Sequence, residues 1–261
     1  MIDYSFPIKD LEYFLLVFMR VSCFVYAAPF FGTTNVPRRV KAGLAFFLAL
    51  LIFHFVLPRE DLVYNTVLGY GLLVIEEASC GLLIGFMTNI CMQIVLFTGA
   101  LTDMDIGLSM VSLFDPVSRT QTGFTGTFYQ YAILLILLAS NFHHYILKAF
   151  VASYEKIPVG HVIFDGERLY ALVLKFLRDA FLIGFEIFLP VFGAMLVMNV
   201  VLGIMAKVSP QMNMFAVGIQ LKILFGLAVM YISITLLPGI ADYIFGEIKE
   251  IMTVTVDVIS H

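Results

Sequence analysis

The sequence predicts an all-α, polytopic helical membrane protein with about six hydrophobic helical segments, some of them long and broken. Composition is the first ground for this. Of the 261 residues, 61% are hydrophobic types and only 13% are charged, with a mean hydropathy of +0.98. A soluble globule of that composition would expose far more contiguous apolar surface than monomers tolerate, so a free soluble domain is excluded. The second ground is the spacing of the charges. None lies between Arg20 and Arg38, Lys41 and Arg59, Glu77 and Asp103, Arg119 and Lys148, Glu186 and Lys207, or Lys222 and Asp242. Each gap is close to the roughly 20 apolar residues that a helix needs to cross a bilayer. Third, Leu, Phe, Ala and Met dominate without period-two alternation, which favours helices over barrel strands.

The elements follow in order. Residues 11–31 form a first apolar segment, ended by Pro29-Phe30-Phe31-Gly32. The stretch before it holds Asp3, Lys9, Asp10 and Glu12, which is net acidic, whereas a secretory leader carries a basic start; the segment is expected to be retained. A turn over 33–41 carries Arg38, Arg39 and Lys41, and residues 42–57 form the next segment, stopped by Pro58. From Val67 to Ala100 the apolar pattern runs on for about 50 Å as helix, too long for one simple span, with Gly81, Gly85 and Gly99 as bending points. The longest non-helical stretch is expected at 99–128, rich in Gly, Ser, Thr and Asp, followed by a segment at 129–151 and a polar connector at 153–168. Residues 169–186 read as an amphipathic lead-in to the apolar run 187–206. Ser209-Pro210 reads as an N-cap followed by proline at the first helical position, opening a last segment that stops near Pro238-Gly239. No linker or low-complexity tract divides the chain, so residues 1–261 are expected to form a single domain.

Charge and cysteine content narrow the function classes. Fifteen basic against nineteen acidic residues give a net charge of −4, with no clustered Lys and Arg to neutralise phosphates, so nucleic acid is not an expected partner. Cys23, Cys80 and Cys91 lie in apolar windows with no zinc spacing and read as free thiols. The positive-inside rule fails: whichever side receives Arg38, Arg39 and Lys41, other basic residues fall on both sides. Either the span count is off, or the helices are not ordinary spans facing lipid.

Several constellations invite chemistry. Glu77, Gly81, Gly85, Asn89 and Gln93 recur every four residues, a small-and-polar stripe that drifts about 40° per step around a helix. Such a stripe lets another backbone approach, and helix packing is its simplest use. Glu76 and Glu77 could instead serve an ion path, because carboxylates in a membrane are costly and often functional. The Glu pair begins an intramembrane-protease signature, but that pattern needs Arg where Gly81 stands. Gly107-Leu108-Ser109 echoes a rhomboid serine motif, with Met110 where glycine belongs. Asp103, Asp105 and Gly107 mimic a calcium loop whose twelfth position is Phe114 and cannot supply a carboxylate. Adjacent His143 and His144 point to different helix faces. No nucleophile, base and orienter assemble, so neither catalysis nor a cofactor or metal site is expected. Met195, Met198 and Met205, with Met212 and Met214 across a turn and Met104 and Met110 in the central loop, suit either core filling or a compliant seal around a conduit. Lys222, between Gly218 and Gly226, needs a counter-charge, for which Glu186 or a partner subunit is the candidate.

Two stretches resemble the FliR family of the bacterial flagellar type III export gate. One runs from Gly99-Ala100-Leu101 through Gly107-Leu108-Ser109-Met110 to Asp115-Pro116. The other is Lys207-Val208-Ser209-Pro210-Gln211-Met212-Asn213, continuing Met214-Phe215-Ala216-Val217-Gly218 and Lys222-Ile223. Arg20, Pro29-Phe30-Phe31-Gly32, Pro37 and Lys41-Ala42-Gly43-Leu44 match the family's opening. The resemblance implies a non-enzymatic, multi-pass subunit of the inner membrane and flagellar basal body. It implies assembly with FliP and FliQ into a channel for unfolded flagellar proteins, and contact with FlhB and FlhA. It also implies that the segment matching 106–122, with Gly107, Ser109, Met110, Phe114, Asp115 and Pro116, plugs the pore, and that the chain lies partly above the bilayer plane. Two positions depart from the pattern: Asp105 replaces a neutral Gln, adding charge to the plug, and Gln220 replaces a Pro. The homologous subunit of a virulence secretion system is the nearby alternative. An ion-coupled transporter using Glu76, Glu77, Glu186 and Lys222 is the alternative from another class.

Overall fold

A computed structural model describes residues 8–33, 36–55, 62, 64, 66–109, 123–211 and 213–260. Helix accounts for nearly all of them, and no strand occurs among the described residues. The helices are α1 (Ile8–Ala27), α2 (Arg38–Phe55), α3 (Val67–Ile106), α4 (Phe124–Ala139), α5 (Phe142–Lys156), α6 (Gly166–Val208), α7 (Met214–Ser233) and α8 (Leu237–Ser260), with a 3₁₀ turn at Ile234–Leu236. Among the described residues, α3, α6 and the run Ala216–Ser260 are long and apolar enough to cross a membrane; α4 and α5 add a fourth span if taken as one broken crossing.

Several boundaries differ from expectation for identifiable reasons. α3 is unbroken for 40 residues, and Gly81, Gly85 and Gly99 are sites of close packing. It continues to Ile106 because its polar residues find partners: the Thr102 hydroxyl donates to the Thr98 carbonyl at 2.9 Å, and Asp103 is bonded across to α4. The expected non-helical stretch 99–128 is therefore helical at both its ends, through Ile106 on one side and from Phe124 on the other, and Asp105 belongs to the end of α3. The expected segment 129–151 breaks at Asn141, which adopts a left-handed φ of 57°. α6 joins the amphipathic lead-in and the apolar run in one helix, with Pro190 inside it. Ser209 does not cap the next helix. Its N–H closes α6 on the Met205 carbonyl at 2.9 Å, and Asn213, an equally good cap, accepts from the Ala216 N–H at 3.5 Å. Nor does Pro238-Gly239 end a helix, because Pro238 is the second residue of α8, where a missing N–H removes no bond.

The chain divides into two compact units. The first comprises Met1–Ile90, Asn141–Phe176 and Gly246–His261. In it α1 packs on α2 through Phe14, whose ring meets Phe46 and Phe53 edge-on at 5.6 and 5.7 Å. Phe24 of α1 stacks on Phe150 of α5 at 3.9 Å, and a Cβ at Gly81 or Gly85 of α3 would overlap the backbone of α1. The second unit comprises Cys91–Ser140 and Leu177–Phe245. Here Phe97 of α3 meets Phe181 of α6 edge-on at 5.3 Å, and the Thr98 hydroxyl donates to the Gly184 carbonyl at 3.1 Å. Gly99 and Gly126 bring the backbones of α3 and α4 together, while Gly226 of α7 leaves room for Ile106.

Candidate functional site

Within the first unit, a charged node sits in the core. Arg20 of α1 and Glu77 of α3 are both fully buried and form a bidentate pair, Nε to Oε2 at 2.5 Å and Nη2 to Oε1 at 2.8 Å. The remaining valences are also filled. Arg20 Nη1 donates to the Ile157 carbonyl at 2.9 Å, Glu77 Oε1 accepts from the Gly160 N–H at 2.9 Å, and the guanidinium lies 4.4 Å from the Tyr154 ring. Glycine is required at 160 by a φ of +81°. The pair thus ties α1, α3 and the turn after α5 at one point, and two buried charges are tolerated because each is paired and hydrogen-bonded. Of the stripe, Glu77, Gly81 and Gly85 are buried against α1, whereas Asn89 is half-buried and Gln93 is exposed. Four steps of about 40° carry the line from one side of the helix nearly to the other. Glu76 is half-buried beside the node.

In the second unit the most constrained polar group is Asp103, 3% exposed in the last turn of α3. A carboxylate is disfavoured at the C-terminus of its own helix but favoured at the N-terminus of another. Both its oxygens accept from the Thr125 N–H at 3.2 Å, and the Thr125 hydroxyl donates to Oδ1, with the Met230 sulfur 3.4 Å from that hydroxyl. Asp103 is therefore the N-cap of α4, supplied from α3. Gly123, at the cap position in sequence, is glycine because a Cβ there would overlap Asp103 Oδ2. Sequence reading misses this role, treating Asp103 as half of a failed calcium motif. The available signal is an apolar helix ending in Asp, then a helix starting at Gly123-Phe124-Thr125 with no local cap.

The other anticipated residues fall as follows. Gly107 has a φ of +91° and open space around it, and Ser109 is half-buried. Met110, Phe114, Asp115, Pro116 and Met212 lie outside the described residues. Lys207, in the last turn of α6, is exposed, as are Pro210, Gln211 and Asn213 beyond it, and Ser209 is half-buried. Lys222, half-buried, attracts the Asp105 carboxylate; Ile106 seated at Gly226 brings the end of α3 to that side of α7. Glu186 instead lines an open groove of about 310 Å³ with Pro190, Leu236, Gly239 and Tyr243. Cys80 and Cys91 are buried and Cys23 is half-buried, and none of the three is in a disulfide. Met195 and Met230 are buried, while Met104 is exposed.

Against known proteins, residues 11–248 match the family described as "Bacterial export proteins, family 1". The flagellar biosynthetic protein FliR of Bacillus subtilis strain 168 is 31% identical over 246 residues, covering 94% of this chain and 92% of the relative. The protein of the same name from Escherichia coli K12 is 26% identical over 93% of this chain and 90% of its own, and that of Aquifex aeolicus 26% over 85% of each.

Proposed function

The chain belongs to the bacterial export proteins, family 1, and from that premise we propose that it is a non-enzymatic structural subunit of the flagellar type III protein export gate in the bacterial inner membrane. In this reading it forms, with FliP and FliQ, the channel through which unfolded flagellar proteins leave, docks against FlhB and FlhA at the basal body, and closes the path with its central loop. The observation that carries the reading is the match from residue 11 to residue 248, nearly the whole chain, to a family of export proteins whose relatives bear a flagellar name. The exposed apolar surface supports it. Only 11% of the most apolar window of α6 is buried within the chain and 17% of that in Ala216–Ser260, so lipid or other subunits must cover the rest.

The ion-coupled transporter finds less support. Glu77 is consumed by Arg20 and Gly160, and Lys222 acts on Asp105. Neutralising Glu76, Glu77, Glu186 or Lys222 singly is expected to lower the yield of assembled complex without creating or abolishing ion coupling. Two measurements test the gate. Solubilised membranes should yield this chain in a stable complex with two smaller helical membrane proteins, and deletion of residues 110–119 should let small ions leak across the membrane. A chain that elutes alone, together with a deletion strain as tight as its parent, overturns the reading.

A further inference from the structure

Glu186 is exposed on α6, and among the described residues its carboxylate has no ion pair or hydrogen bond. The described cations of the second unit do not serve it. Arg178, about 12 Å back along the helix, donates Nε and Nη2 to Asp179 Oδ1 at 3.1 and 3.0 Å. Lys207 lies about 31 Å further along the same helix, and Lys222 attracts Asp105. Arg119 lies outside the described residues. The neighbours of Glu186 are not those of a wet surface either. Leu182 one turn before it, Leu189 one turn after it and Phe185 beside it are all exposed. Apolar groups of this size on a helix long enough to span a bilayer must be covered, and whatever covers Leu182 and Leu189 also covers the carboxylate between them. That cover has to bring a cation, because a carboxylate enclosed without one is costly.

The groove that Glu186 lines has room for the stem such a cation needs. Its volume of about 310 Å³ lies between Ile183, Ile187 and Pro190 of α6 and Leu236, Gly239 and Ile240 on the other side. Pro190 has no N–H to donate to the Glu186 carbonyl four residues back, so that oxygen is open to a second donor. We propose that the groove receives a lysine or arginine side chain from a membrane helix of another polypeptide, its methylenes along the apolar walls and its charged end on Glu186. No basic side chain lines the groove, so a phospholipid carrying an ammonium would bring its phosphate to a carboxylate with nothing to receive it. A metal cation needs several oxygens in place of its water, and these walls are mostly hydrocarbon. The inference does not depend on the export-gate reading, since it holds whichever protein supplies the side chain.

The test puts the photoreactive residue p-benzoylphenylalanine in place of Tyr243, which lines the same groove, in the full chain in its own membranes. After irradiation the adduct is mapped by mass spectrometry for this parent and for Glu186→Asp, Glu186→Gln, Glu186→Lys and Gly239→Leu. A Cβ at Gly239 meets nothing within 4 Å, so leucine there fills the groove and leaves Glu186 in place. The adduct should fall on another protein, beside a lysine or arginine. Its yield should stay within about 3-fold of the parent with Glu186→Asp, drop about 10-fold with Glu186→Gln, and drop further with Glu186→Lys and Gly239→Leu. Changing the partner's basic residue to Glu should lower the yield in the parent and restore it beside Glu186→Lys. Protease resistance shows that each variant is folded; should Glu186→Lys fail that check, Glu186→Gln, which keeps the side chain's shape, carries the comparison. A yield unchanged by Glu186→Gln overturns the proposal, as do adducts to lipid alone, to a segment without a basic residue, or to the part of this chain that holds Arg119. A charge-dependent adduct on a protein outside any export complex supports this inference while counting against the gate.

Discussion

α3 and α6 are nearly equal in length, at 40 and 43 residues, and both are apolar enough to span a bilayer, yet they meet their surroundings in opposite ways. In α3, 61% of the most apolar window is buried within the chain, and its glycines lie under backbone: Gly81 at the Arg20 carbonyl, Gly85 at Phe24 and Ala27, Gly99 at Gly126. In α6 the figure is 11%, and nothing lies within 4 Å of where Gly193 or Gly203 would carry a Cβ. Hydropathy does not distinguish an internal strut from an outward face; what lies above each small residue does. Gly193 and Gly203 thus differ from Gly184 of the same helix, where a Cβ would press on Ile94, Phe97 and Thr98 of α3.

The sharpest way to break the contrast is to remove the charge that anchors α3 internally. Arg20→Ala leaves Glu77 buried and unpaired, which should cost about 3–5 kcal/mol and strip folded protein from the membrane fraction. Replacing both residues, as Arg20→Met with Glu77→Leu, should recover most of that stability, because the cost comes from the orphaned charge and not from loss of an attractive pair. The measurement is thermal aggregation of the detergent-solubilised chain. A single variant as stable as the parent would show that water reaches the node, and α3 would no longer be the internal strut.

A milder test uses the same substitution on both helices. Gly81→Ala pushes a methyl group into the Arg20 carbonyl and should destabilise by about 1–3 kcal/mol. Gly193→Ala meets nothing within the chain and should stabilise the isolated protein by about 0.5–1 kcal/mol through helix propensity. In the assembled complex the second sign should reverse, seen as a lower yield of copurified subunits with Gly193→Leu. If Gly193→Leu assembles normally, lipid and not protein covers that part of α6.

How much of this was legible in the sequence follows from the range of each signal. The helices could be read because apolar runs and charge gaps are local. The first part of the stripe points to real neighbours, since Glu77, Gly81 and Gly85 all face α1, but a period of four cannot follow a helix of 3.6 residues per turn, and Gln93 has swung into the open. Boundaries failed where local punctuation had a tertiary or equivalent substitute. Pro238-Gly239 reads as a stop until Pro238 is placed in a first turn, and Ser209 reads as a cap until Asn213 takes that role. The Arg20–Glu77 and Asp103–Thr125 links span 57 and 22 positions, and no local pattern encodes such pairs. Arg20 was visible as a window edge and part of the family's opening, and Asp103 as a window edge and half of a failed calcium motif, both without the partners that give them meaning.

The smallest expected effect isolates burial as the cause of the difference between ion pairs. Lys156 of α5 and Asp257 of α8 are bonded in the same unit as Arg20 and Glu77, but about half of each side chain is in water, at 51% and 48% exposure against 0% for both members of the buried pair. Water screens the attraction and hydrates whichever charge is left behind, so Asp257→Asn should cost no more than about 1 kcal/mol. That difference should shrink as salt is raised, because exposed charges lie within reach of counterions. The Arg20→Ala deficit should hardly change with salt, since its origin is desolvation of Glu77 in the core and no counterion enters there. Should Asp257→Asn prove as costly as Arg20→Ala and as insensitive to salt, that edge of the unit is sealed from water, and the line between strut and outward face lies further out than the exposure of α6 indicates.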